Sequence, residues 1–217
     1  MAASQPHHAR AVLLATDLSA RADRAEGRAV ERAASLGGPL HVVTVVEPAG
    51  EDRTLGDVPD AQAIEAELRE TYSSDLPLRV TVESGVAWSK IIDAARAHTC
   101  ALIVLGPAEP RSLPEKLLGS TAERVVHAAT TPVLIVRRRA RGPYGQVAVA
   151  TDFSPTSRHA LLAAAEVLPE ADFRLVHAYR VPFTGFLSRE TNEPEVQRQA
   201  ASDLKDFMAA LETEPKL

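Results

Sequence analysis

The sequence predicts an α/β fold: a doubly wound, five-stranded parallel sheet followed by a partial second β-α-β-α copy. Three observations carry that expectation. Short, continuous apolar runs alternate with helical stretches over the first 138 residues, as in parallel strands covered on both faces. The segment VLLATDLS at 12–19 returns as VAVATDFS at 147–154, identical at five of eight positions, and each copy leads into an alanine-rich helical stretch. Of 217 residues, 45% are hydrophobic and 24% charged, which excludes a disordered chain or a fibrous repeat.

Taken in order, residues 1–9 read as a disordered tail and 10–138 as one complete domain. Its first strand starts at Val12, and LHVVTVVEP at 40–48 closes the first β-α-β unit. The polar, turn-rich stretch 49–60 reads as a surface loop, followed by a helix at roughly 61–73 and a strand at Leu78–Glu83. Gly85 breaks the chain before a helix with Ile91, Ile92 and Ala95 on its inner face. Residues 101–105 (ALIVL) form the next strand, ending at Gly106; a long loop covers 106–118. A helix at Ser120–Ala129 and a last strand at Val133–Val136 complete the order βαβαβαβαβ.

Residues 139–143, within the basic run Arg137–Pro143, read as a linker. The second copy, 144–217, has room for a strand, a helix, a strand at FRLVHAYRVP (173–182) and a helix at about 194–211. It is expected to be incomplete, with no residues for three further strands or a phosphate loop. Two strands alone are rarely stable, so this half is expected to dock on the first domain, pair with another chain, or be a truncation.

The net charge of −5 and a pI near 5.8 favour no nucleic-acid partner. One cysteine forms no internal disulfide, and no Cys/His spacing suggests structural zinc. No run approaches the ~18–20 apolar residues of a membrane helix. The N-terminal apolar run 11–15 meets Asp17 too early for a signal peptide, so the expected location is the cytoplasm, with no membrane partner.

In doubly wound sheets ligands sit at the carboxyl ends of the strands, where the strand order reverses. Strand one ends in Thr16-Asp17-Leu18-Ser19 and so presents a carboxylate there. Asp17 or Ser19 serves equally well as a cap for the following helix. Gly106-Pro107-Ala108-Glu109, then Gly119-Ser120-Thr121 opening a helix, offers close backbone approach, free N–H groups and two hydroxyls to a phosphate. The same Gly-Ser-Thr is also an ordinary helix start.

Together these residues resemble the universal stress protein family. The resemblance rests on ATDLS, VVTVVEP, SGVAWSKIIDAARAHTCALIVLG and LLGSTAERVVHAATTPVLIVRRR; it covers 10–138 and resumes over 144–182. It implies strand order 3-2-1-4-5, dimeric or tandem assembly, a role in stress tolerance and, in many members, ATP held by a loop G-x2-G-x9-G-[ST]. On this resemblance Asp17 lies near ribose and adenine, the Val45 backbone meets adenine, and Gly106, Gly119, Ser120 and Thr121 cradle phosphate. The departure is Glu109, which replaces the second motif glycine. A carboxylate ~4 Å from a phosphate charge costs about 4 kcal/mol at an effective dielectric of 20, unless it turns away or Arg111 or Lys116 offsets it. Pro107 and Pro110 each remove an N–H donor. In the second copy Asp152 repeats Asp17 and Ala178 falls opposite Val45, but no phosphate loop comes after them; Asp152 reads as a helix cap.

The leading expectation is therefore a cytoplasmic stress-response regulator or adaptor with a degenerate nucleotide site and no enzymatic chemistry. A homodimer through Val133–Val136 and an unknown regulatory partner go with it, because the last strand of the family pairs across a two-fold axis. The alternative keeps ATP, with Mg²⁺ on its phosphates, as a switch. An adenylating enzyme is a second alternative, but the S-G-G-x-D-S loop of that class is missing. Arg137, Arg138, Arg139 and Arg141 read as a solvated linker, and Cys100 as an inert core thiol. Trp88 reads as packing or interface. His41, His98, His127, His159 and His177 show no metal-ligand spacing, and Ser19 and Ser154 have no triad partners.

Overall fold

Five strands, alternating with four helices, are ordered so that the first strand lies at the centre. A computed structural model describes residues 10–19, 22–46, 60–72, 76–107, 120–180 and 189–213. The chain divides into two compact units, Met1–Pro143 and Tyr144–Leu217.

In the first unit, β1 (Val12–Ala15), β2 (Leu40–Val46), β3 (Leu78–Ser84), β4 (Leu102–Leu105) and β5 (Val133–Ile135) alternate with four helices. These are α1 (Asp23–Leu36), α2 (Ala61–Tyr72), α3 (Ala87–Ala97) and α4 (Ser120–Ala128). The sheet order is β3-β2-β1-β4-β5 and every pairing is parallel, as the sequence predicts. Central β1 and β4 carry no polar side chain because both faces are covered: every residue of each is buried. Helix α3 adds Ile91 and Ala95 to a core that also holds Leu13, Val43, Ile103 and Val125, with Trp88 packed against it. The strands, α2 and α4 lie within one or two residues of their expected bounds; β5 stops at Ile135, with Val136 buried beyond it and its N–H donating to the Leu105 carbonyl at 2.8 Å.

Two glycines make the tight connections possible. Gly37 ends α1 at φ 64°, the left-handed conformation that suits glycine. At Gly38 a Cβ would stand 2.0 Å from the Arg10 carbonyl oxygen, so the turn into β2 admits no side chain.

Helix α1 carries charge on its buried face. Its inner face is Ala25, Arg28, Ala29, Arg32 and Ala33, and Arg32 is fully buried. Glu31 accepts hydrogen bonds from both guanidinium groups, which makes two buried cations tolerable.

The second unit contains β6 (Gln146–Ala150), α5 (Pro155–Val167), β7 (Asp172–Val176) and α6 (Arg189–Thr213), with β6 and β7 paired in parallel. Helix α6 starts five residues before the expected 194, so Pro194 lies inside it. Along β6 and β7 exposed residues alternate with half-buried ones. Phe153, His177 and Phe207 form an aromatic cluster here, Phe153 stacking on His177 with centroids 4.3 Å apart.

Candidate functional site

The sheet order reverses between β1 and β4, which pair side by side while their connections run to opposite edges. A cavity of about 200 Å³ opens at their carboxyl ends, where this topology leaves a crevice. The end of β1 contributes Thr16, Asp17 and Ser19; β2 contributes Val43 and Val45; Gly106 and Pro107 come directly after β4; Thr121 and Ala122 come from the first turn of α4. Of the expected site residues, Asp17, Val45, Gly106 and Thr121 are thus brought together. Ser120 is the first residue of α4. Gly119, Glu109, Pro110, Arg111 and Lys116 lie outside the described residues.

The turn after β1 is built from its own side chains. The Thr16 hydroxyl accepts from the Leu18 N–H at 3.1 Å, and Asp17 Oδ1 accepts from the Ser19 N–H at 3.0 Å. Leu18 takes φ 59° as a result. Thr16 in turn donates to Glu26 Oε1 at 3.3 Å. Burial is the largest influence raising the Glu26 carboxyl above its usual value, and Asp23 adds to it.

The cap reading of this turn is corrected. Helix α1 begins only at Asp23, and its N-cap is Ala22, with no side-chain cap. Neither Asp17 nor Ser19 is spent on the helix, and Asp17 stays exposed at the crevice. The Asp152 reading is corrected too, because Ser154 caps α5 through the Ser157 N–H at 3.2 Å. Asp152 instead accepts from the Ser154 N–H at 3.0 Å. Hydrogen bonds from Ser154, with help from Ser157, hold its carboxyl down to about 2. Ala178 lies exposed beyond β7.

Among its described residues the crevice combines an apolar wall, the exposed carboxylate of Asp17 and a helix N-terminus. Val43, Val45 and Ile91 supply the apolar lining, Asp17 can accept from hydroxyls, and the first N–H groups of α4 favour an anion. Its volume lies below the ~300–1,000 Å³ of whole small-molecule sites.

Other expected residues fall elsewhere. Cys100 is buried, and burial pushes its thiol up to about 11. The rings of His41 and His98 stack with centroids 4.1 Å apart beside a second cavity of about 170 Å³. Residues 57 apart in sequence gave no signal of this pairing. Burial and the neighbouring His98 lower the basicity of His41. Among the described residues no group of three or more His, Cys, Asp or Glu could hold a metal, and no helix is long and apolar enough to cross a membrane.

Residues 8–137 match the universal stress protein family. A relative from Coxiella burnetii, universal stress protein A homolog 1, is 36% identical over 140 residues, covering 59% of this chain and 96% of its own. The fold is similar to that of a universal stress protein from Archaeoglobus fulgidus, with TM-score 0.51 and 23% identity over 59% of this chain and 98% of that one. A functionally unknown protein from Pseudomonas aeruginosa PAO1 is similar in fold over 97% of this chain and 72% of its own, with TM-score 0.63 and 15% identity.

Proposed function

The chain belongs to the universal stress protein family, and from that premise we propose that it is a cytoplasmic, non-enzymatic regulator or adaptor of the stress response. On this reading its crevice binds an adenine nucleotide weakly. One observation supports it most directly: Asp17, Val45, Gly106 and Thr121, drawn from four separate segments, line a single crevice at the reversal of the sheet. Asp17 would hold the ribose, the β2 backbone at Val45 the adenine, and the α4 N-terminus with Ser120 and Thr121 the phosphates. Mg²⁺ would neutralise charge on the phosphates. Glu109, in place of the second motif glycine, is the reason for expecting weak rather than tight binding. Signalling would pass through partner contact, and β5, an outer strand of the sheet, is the edge proposed to pair with a second copy.

Calorimetric titration of nucleotide-stripped protein with Mg-ATP tests this. The expected result is weak saturable binding, tightened about tenfold or more by Glu109→Gly and weakened by Asp17→Ala. Removing a charge repulsion of only ~1.4 kcal/mol would suffice for that tenfold gain. Absence of binding up to millimolar Mg-ATP in both the parent chain and Glu109→Gly would refute the nucleotide assignment. Release of pyrophosphate on incubation with ATP would instead favour an adenylating enzyme.

A further inference from the structure

The chain is acidic overall, with a net charge of −5, yet one hollow of about 620 Å³ in its first unit is lined by six arginines: Arg24, Arg28, Arg137, Arg138, Arg139 and Arg141. Two of them build it. Arg24 Nη1 donates to the Arg137 carbonyl at 3.0 Å, and Arg28 Nη1 donates to the Gly142 carbonyl at 2.9 Å. These bonds hold the segment after β5 against α1 and gather four further guanidinium groups beside them. The segment expected as a solvated linker thus keeps its four arginines exposed while its backbone is tied to α1 at two carbonyls.

Among the described residues two carboxylates oppose this charge. Glu31 is bound to Arg28 and Arg32, and Asp23 lies 3.6 Å from Arg139 in an exposed pair that contributes little. Arg138 and Arg141 are exposed and make no hydrogen bond or ion pair with a described residue. Gathering so many cations is unfavourable unless an anion offsets their repulsion. Guanidinium forks match phosphate oxygens bidentately. The lining contains no aromatic ring and no large apolar side chain, so it has no means to stack a base. Its volume is that of a small-molecule site. The acidic remainder of the chain disfavours a long polyanion lying across the surface.

We infer that this hollow is a binding site for a compact oligophosphate, recognised through its phosphate groups alone. It is separate from the crevice at β1 and β4 and does not depend on the nucleotide reading. The phosphates could come from an inorganic chain or from the tail of a nucleotide.

The intact chain is titrated calorimetrically with sodium tripolyphosphate at low and at physiological salt. The expected result is one saturable site whose affinity falls steeply with salt, as phosphate contacts do. Arg138→Gln/Arg141→Gln is expected to weaken it tenfold or more, with the thermal unfolding midpoint unchanged. GTP serves as the competitor: displacement of tripolyphosphate at similar concentration supports a nucleotide tail as the source, and failure to displace supports a base-free chain. No saturable binding at low salt, or equal binding by the double variant, overturns the inference.

Discussion

The tetrapeptides Thr16–Ser19 and Thr151–Ser154 are one local structure used in two settings. In each, the threonine hydroxyl accepts from the N–H two residues on, and the aspartate accepts from the serine N–H at 3.0 Å. The intervening residue takes positive φ, 59° at Leu18 and 63° at Phe153. The threonine N–H reaches the neighbouring strand in both, at Val43 and at Val176. The two copies part immediately after the serine. Ser154 caps α5 at once, with Pro155 in its first turn, while Asp152 stays exposed and accepts from the Ser154 N–H. In the first unit the helix waits until Asp23, and β4 stands beside β1 to form the crevice. The turn is therefore encoded by its own side chains, while its chemical availability is decided by the next few residues and the neighbouring strand.

The largest expected difference between the two settings is in stability. Leu14 is fully buried in β1, so Leu14→Ala should destabilise the first unit by about 2–5 kcal/mol. Val149, half-buried in β6, should cost about 1 kcal/mol or less when truncated to alanine. Hydrogen exchange followed by mass spectrometry separates the units. Equal losses of protection would show that the second unit buries its strands as thoroughly as the first.

The cap gives the next effect. Ser154→Ala removes the α5 cap and should destabilise that unit by about 1 kcal/mol, read as faster exchange over 155–160. Ser19→Ala removes no cap and should change exchange over α1 little. A comparable loss at Ser19 would mean that the two turns do the same structural work.

Much of this was legible in the sequence, and the exceptions have identifiable causes. The sheet could be read because β1 and β4 are unbroken apolar runs and β2 is interrupted only by His41 and Thr44, and a parallel sheet covered on both faces has few other ways to look. Asp17, Val45, Gly106 and Thr121 could be read because the motif fixes their places relative to strand ends. The cap could not, since Asp and Ser both start helices and nothing local to Asp17 or Ser19 says that α1 begins only at Asp23. Buried Arg28 and Arg32 were missed because a charged residue reads as surface, although their spacing from Ala25, Ala29 and Ala33 puts them on the inner stripe. The run 137–141 was plain, but Arg24 and Arg28 join it from more than a hundred residues away.

Acid titration separates the two turns more finely. The Asp152 carboxyl is held near 2, below its unfolded value near 3.9. Its contribution to stability is present above about pH 4 and is lost as pH falls towards 2. Asp152→Asn should therefore matter at neutral pH and become silent near pH 2, when measured as exchange over 155–160. A penalty that does not vary with pH would assign the effect to shape and not to charge.

The smallest effect expected is at Glu26, and it has the opposite sign. Its carboxyl is raised, chiefly by burial, so the folded chain keeps this proton after the unfolded chain has released it. Between the unfolded value near 4.3 and the raised folded value, the folded state binds more protons, and stability falls as pH rises. Glutamine cannot ionise, yet it can still accept from the Thr16 hydroxyl, so Glu26→Gln should match the parent chain at pH 4 and exceed it slightly at pH 7.5. Trp88 is the one tryptophan of the chain and packs on the core of the first unit, so its fluorescence during urea unfolding reports that unit. A variant less stable at pH 7.5 than at pH 4, relative to the parent, would mean that the ionised carboxylate is a needed partner of Thr16, and that the turn carrying Asp17 depends on charge supplied by α1.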